Sequence, residues 1–128
     1  MTIAFWCVLA AALMPYLWVG IAKFSTRGYD NAAVRDFEDR LSGMPKRAHW
    51  AHLNSFEAFP FFAAGVIIAA IGGADPARID LLAMSFIGLR LAYGAAYLAN
   101  LATLRSLIWI ASMATVVLMF TNIPGKVA

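Results

Sequence analysis

Two stripes of polar side chains interrupt a sequence otherwise built of hydrocarbon. The first is Arg47, Asn54 and Glu57, separated by seven and three residues, with Trp50 and Phe61 on the same helical line. The second is Arg90, Tyr93 and Tyr97, spaced i, i+3 and i+7. A carboxylate, an amide, a guanidinium and two phenols can hold a small zwitterion through its amines and carboxylates. They can also do something plainer: Glu57 and Arg90 can neutralise one another and tie two helices together. That reading explains poorly the company of Asn54, Tyr93 and Tyr97, and the residues alone leave both open.

The surroundings make these side chains costly. Of 128 residues, 62% are hydrophobic and 13% charged, and the mean hydropathy is +0.74. A soluble domain of this size needs more charge to cover its surface, so the class is integral membrane protein. A carboxylate at membrane depth faces a bundle interior or a water-filled cavity. The length leaves room for one domain, residues 1–128. The hydropathy pattern predicts an all-α, four-helix transmembrane bundle with spans at about 2–22, 47–71, 81–104 and 106–123.

The first span carries no charge from Thr2 to Ala22 and is read as a retained helix, with Pro15 inside it. Trp18 and Lys23 suit the interface, as aromatic anchor and snorkelling cation. Residues 24–46 form the one long polar segment, either a solvated loop or a short amphipathic helix over Asn31–Leu41. The second span holds Pro60, which frees the carbonyl of Phe56 beside the polar stripe. Gly72-Gly73-Ala74-Asp75-Pro76 is a turn. Asn100–Arg105 is a short connection or a helix running past the headgroups, and Trp109 suits an interface anchor.

Basic residues give the orientation. The first and third loops hold Lys23, Arg27, Arg35, Arg40, Lys46, Arg47 and Arg105, against Arg78 and Lys126 on the other face. The positive-inside rule places the long loop in the cytoplasm and both termini outside. The net charge of +3 thus reports orientation rather than binding of nucleic acid. Glu57 then lies about 10 Å below the cytoplasmic end of its helix, and the antiparallel third span sets Tyr97 shallow and Arg90 deep.

Other chemistries find too few residues. The single cysteine, Cys7, excludes an intrachain disulfide and a CxxC pair, and reads as an apolar filler. His49 and His52 share a helix face, but a metal site needs more ligands than the other helices supply, so none is expected. No catalytic triad, phosphate loop or dinucleotide fingerprint is present.

Along Arg47-x-x-x-Ala51-His52-x-Asn54-x-x-Glu57-x-Phe59-Pro60 and Arg90-x-x-Tyr93-x-x-x-Tyr97, the sequence resembles the MAPEG family, membrane-associated proteins in eicosanoid and glutathione metabolism. Its uncharacterised bacterial branch is the closer likeness, from Lys23 through Asn31 to Arg105-Ser106-Leu107, which implies a bacterial inner-membrane location. The resemblance covers essentially the whole chain. It implies a left-handed four-helix protomer that assembles as a homotrimer and binds glutathione, as co-substrate, near the cytoplasmic side. Arg47, His52, Asn54, Glu57, Arg90 and Tyr97 are the implied glutathione-binding residues, with Arg105 and Tyr93 as the catalytic pair. An arginine stabilises the glutathione thiolate in such enzymes, and the thiolate attacks a small hydrophobic electrophile arriving from the lipid bilayer.

Two departures bear on activity. Trp50 stands where the eukaryotic enzymes carry an arginine, and Arg105 falls after a short connection, where it opens the fourth helix. The expected function is a glutathione-dependent membrane transferase or peroxidase. The alternative is a non-catalytic binder or scaffold of the same fold, for a lipid or a protein partner.

Overall fold

The computed structural model describes residues 1–125; Lys126, counted in the orientation argument, lies outside the described residues. Five helices follow in order: α1 (Ile3–Phe24), α2 (Val34–Asp39), α3 (Gly43–Ile71), α4 (Pro76–Leu98) and α5 (Ala102–Thr121). All but α2 are long and apolar enough to cross a membrane. The protein is an all-α, four-helix membrane bundle. In it α3 and α4 form the centre, α1 packs against both, and α5 packs on their other side.

The helix ends follow from local chemistry. Gly73, at φ 77°, closes α3, with Ala74 N–H reaching the Ala69 carbonyl and Gly73 N–H reaching Ala70. Asp75 then accepts from Ala77 N–H and Pro76 occupies the first turn, which starts α4. At the other end of α4 the same cap is built on Asn100, at φ 59°, with Leu101 N–H on Ala96 and Asn100 N–H on Tyr97. Asparagine tolerates this left-handed conformation better than most side chains. Of the two readings of Asn100–Arg105 the structure selects the short connection and narrows it: α4 ends at Leu98 rather than running to 104, and Arg105 belongs to the first turns of α5.

Residues 24–46 are more than a solvated loop. Phe37 and Leu41 bury against Ala22 and Ala48, so α2 lies across the ends of α1 and α3. Its Glu38 is only 2% exposed, with Arg35 Nη1 at 3.4 Å and His49 Nδ1 at 3.8 Å. Lys46 Nζ donates to the carbonyls of Glu38 and Asp39, both at 3.2 Å, and so ties α2 to the start of α3.

Two kinds of packing hold the spans together. Away from the loop, Phe62 stacks on Phe86 with centroids 4.0 Å apart, surrounded by buried Val66, Ala69, Ala83, Val116 and Met119. Cys7 joins this core as an apolar filler. Nearer the loop, the ring of Trp18 lies on the backbone of Gly94, where a Cβ would come within 2.0 Å of Cζ2. Trp18 is therefore a packing residue, 5% exposed, and not the interface anchor its position suggested. Gly94 serves this contact between α1 and α4.

Candidate functional site

The polar stripes of α3 and α4 meet, with Asn54 as the joint. Arg90 is buried, its guanidinium lies 4.2 Å from the centre of the Tyr93 ring, and its Nη2 donates to Asn54 Oδ1 at 2.5 Å. Since the amide oxygen is taken, the Asn54 amide nitrogen points the other way and donates to Glu57 at 3.3 Å. Glu57 and Arg90 therefore form no direct ion pair; an amide links them. The pairing expected from charge alone is replaced by a relay, which leaves Glu57 exposed and able to accept further donors.

An open groove runs along this relay. Trp50, Leu53, Asn54 and Glu57 of α3, Tyr93 and Tyr97 of α4, and Arg105 of α5 enclose about 480 Å³. A neighbouring space of about 320 Å³ shares Asn54, Tyr93, Tyr97 and Arg105, and adds Ser106, Trp109 and Ile110. The Arg105 guanidinium sits 4.3 Å from the centre of the Tyr97 ring, whose edge meets Tyr93 at 5.6 Å. A cation over an aromatic face is held without losing its charge to a counter-ion. One groove thus offers a carboxylate on α3, a guanidinium on α5, and phenols and an amide between them.

Other sequence candidates lie elsewhere. Arg47 donates from Nε and Nη2 to the Leu98 carbonyl, at 3.3 and 3.0 Å, and so caps the C-terminus of α4. His52 is buried, with Nδ1 2.9 Å from the carbonyl oxygen of Pro15, to which it donates. It pins α3 to α1 and faces away from the groove. Arg90 stands behind Asn54 rather than on the groove's lining, and one terminal nitrogen, Nη1, has no partner among the described residues. No group of three His, Cys, Asp or Glu side chains gathers for a metal among those residues.

Sequence reasoning missed Ser106, Trp109 and Ile110 as groove residues. The signal was present: Trp109 lies four residues after Arg105 and so shares its face of α5. The sequence reading gave Trp109 only an anchoring role, and the helix is now seen to turn it onto the groove.

A model of the MAPEG family matches residues 3–123. No curated protein and no solved structure matches the chain. The match is to the family as a whole and does not single out a bacterial branch. It spans all four membrane helices and both polar stripes, and the chain belongs to the MAPEG family, membrane proteins of glutathione and eicosanoid metabolism.

Proposed function

We propose that this protein binds glutathione in the α3–α4–α5 groove and transfers it to lipophilic electrophiles. One observation carries the reading: Glu57 and Arg105 border the same groove, with Asn54, Tyr93 and Tyr97 beside them. Glutathione is a zwitterionic tripeptide with an ammonium, two carboxylates and a thiol, and the groove supplies complements of both signs. Glu57 takes the ammonium, Asn54 and Tyr97 fix the backbone, and the buried Arg90 orients Asn54.

Arg105 is the thiolate stabiliser, since a nearby positive charge favours the anionic sulfur. Tyr93 completes the site as a phenol hydrogen-bond donor beside it. The sulfur attacks the electrophilic carbon, a C–S bond forms, and the leaving group departs with its electron pair. With a lipid hydroperoxide, the same sulfur attacks the terminal oxygen and the O–O bond breaks. The alcohol leaves, and a second glutathione converts the sulfenic acid to the disulfide and water. The long loop on the cytoplasmic face, with glutathione reaching the groove from that side, completes the proposal, as does assembly into a homotrimer.

A second reading is favoured by Trp50, 45% exposed with its ring 6.3 Å from Tyr97. An aromatic rim there supplies no charge, and the groove would then bind without catalysing. Calorimetry with glutathione, followed by ultraviolet difference absorbance for bound thiolate, separates the two. An active site gives binding with a thiolate signal, and Arg105→Ala keeps the binding but lowers turnover by about 10²–10³-fold. Binding without thiolate in the unmodified protein selects the second reading. No binding, with Glu57→Gln equally inert, overturns the glutathione reading and leaves a binder of a lipid or a protein partner.

A further inference from the structure

Beside the polar groove lies a smaller pocket of about 200 Å³ between α3 and α5. Ala58, Phe61, Trp109 and Met113 form its apolar lining, with Asn54 and Glu57 at its polar edge. Asn54 and Trp109 are the two side chains it shares with the space lined by Arg105, Ser106 and Ile110. Trp109 is 41% exposed. Ala58 makes the space, since a longer side chain at this buried position would fill it. Phe61, one of the lining side chains, stacks on Phe120 at 6.4 Å and 19°.

We propose that Trp109 is the specificity-determining wall of an electrophile subsite that admits a single aromatic ring or a short chain and refuses larger ring systems. The inference rests on the glutathione reading of the adjoining groove and adds to it the size and kind of the second substrate. Because Asn54 and Trp109 border both the space lined by Arg105 and the pocket, a ring held against the indole is placed next to a sulfur beside Arg105. The volume lies under the ~300–1,000 Å³ usual for drug-sized sites and matches about one ring with small substituents. Flat apolar groups gain most from an indole face and an enclosing Phe and Met.

The test needs no turnover. S-methylglutathione and S-benzylglutathione carry the same peptide and differ only in what enters the pocket. In calorimetry on the detergent-purified protein, the benzyl conjugate binds at least about tenfold tighter than the methyl one. Trp109→Ala removes most of that increment, read as the ratio of the two affinities in the same variant, while Trp109→Phe retains it. An S-(naphthylmethyl) conjugate binds the unmodified protein more weakly than the benzyl one. A benzyl increment that survives Trp109→Ala, or a naphthylmethyl conjugate that binds as tightly as the benzyl, overturns the inference. So does binding of S-methylglutathione with no benzyl increment, and the glutathione reading then stands. If neither glutathione nor either conjugate binds, the glutathione reading fails first and this inference falls with it.

Discussion

The end of the bundle away from the loop and the end beside it are held together by different means. At the far end, Phe62, Val66, Ala69, Val116 and Met119 have no exposure at all, and two phenyl rings stack at 4.0 Å. At the loop end, helices are tied by side chains that reach backbone carbonyls: His52 to Pro15, Arg47 to Leu98, Lys46 to Glu38 and Asp39. The buried polar atoms left without partners, on Trp18, His49 and Arg90, also belong to this end. In hydrocarbon a polar group must find a partner inside the protein. The loop end accepts that constraint because an exposed carboxylate and a guanidinium must be positioned there. Tight packing and the polar groove are thereby separated along the axis of the bundle.

The separation is best challenged by cutting into the packed end. Phe62→Ala removes a fully buried ring and its stacking partner contact, at a cost of about 3–5 kcal/mol. Thermal unfolding in detergent shows a large drop in midpoint. Glutathione affinity, measured well below that midpoint, stays as it was. A parallel loss of affinity means that the two ends act as one unit and ends the comparison.

A smaller effect is expected at the loop end from Glu38→Gln. The carboxylate is buried, but Arg35 beside it is 82% exposed, so its ion pair contributes little. The change leaves His49 without its acidic neighbour and costs about 1–2 kcal/mol. Because α2 packs on Ala48 and Ala22 and not on the groove, glutathione affinity again holds while the midpoint falls. A fall in affinity with little change in midpoint shows instead that α2 shapes the groove through the end of α4.

The sequence reveals faces better than it reveals neighbours. The two stripes were legible because helical spacing puts Asn54 and Glu57, or Tyr93 and Tyr97, on one line, and the structure brings these four to one groove. Spacing says nothing about what meets a stripe from another helix. Arg47 follows the same period as Asn54 and Glu57, yet it binds the Leu98 carbonyl, an acceptor that every residue carries and no sequence distinguishes. His52 is lost to Pro15 for the same reason. Glu38 looks like a loop acid because its burial depends on Phe37 and Leu41 docking beside it. The end of α4 stayed open between two readings, since an asparagine inside an apolar run signals a left-handed cap only once its φ is known. The match to the family gives the whole bundle, and the positions of Arg105 and Trp109 come from the end of that helix.

The far end makes one polar tie of its own, and it sharpens the contrast. The first turn of α1 has backbone N–H groups with no intrahelical acceptor, and Thr2 provides no side-chain cap. Asp80, from the second turn of α4, accepts from Ala4 N–H at 2.7 Å and so caps a different helix from its own. A carboxylate at a helix N-terminus gains from both the hydrogen bond and the helix dipole. Asp80→Ala loses both and costs about 1 kcal/mol, the smallest change of the three. Asp80→Asn keeps an acceptor and gives up the charge, so it falls between the native protein and the alanine variant. If Asn and Ala unfold together, the charge at the dipole holds α1 in place. If neither shifts the midpoint, α1 is held by packing alone, and the far end needs no polar tie.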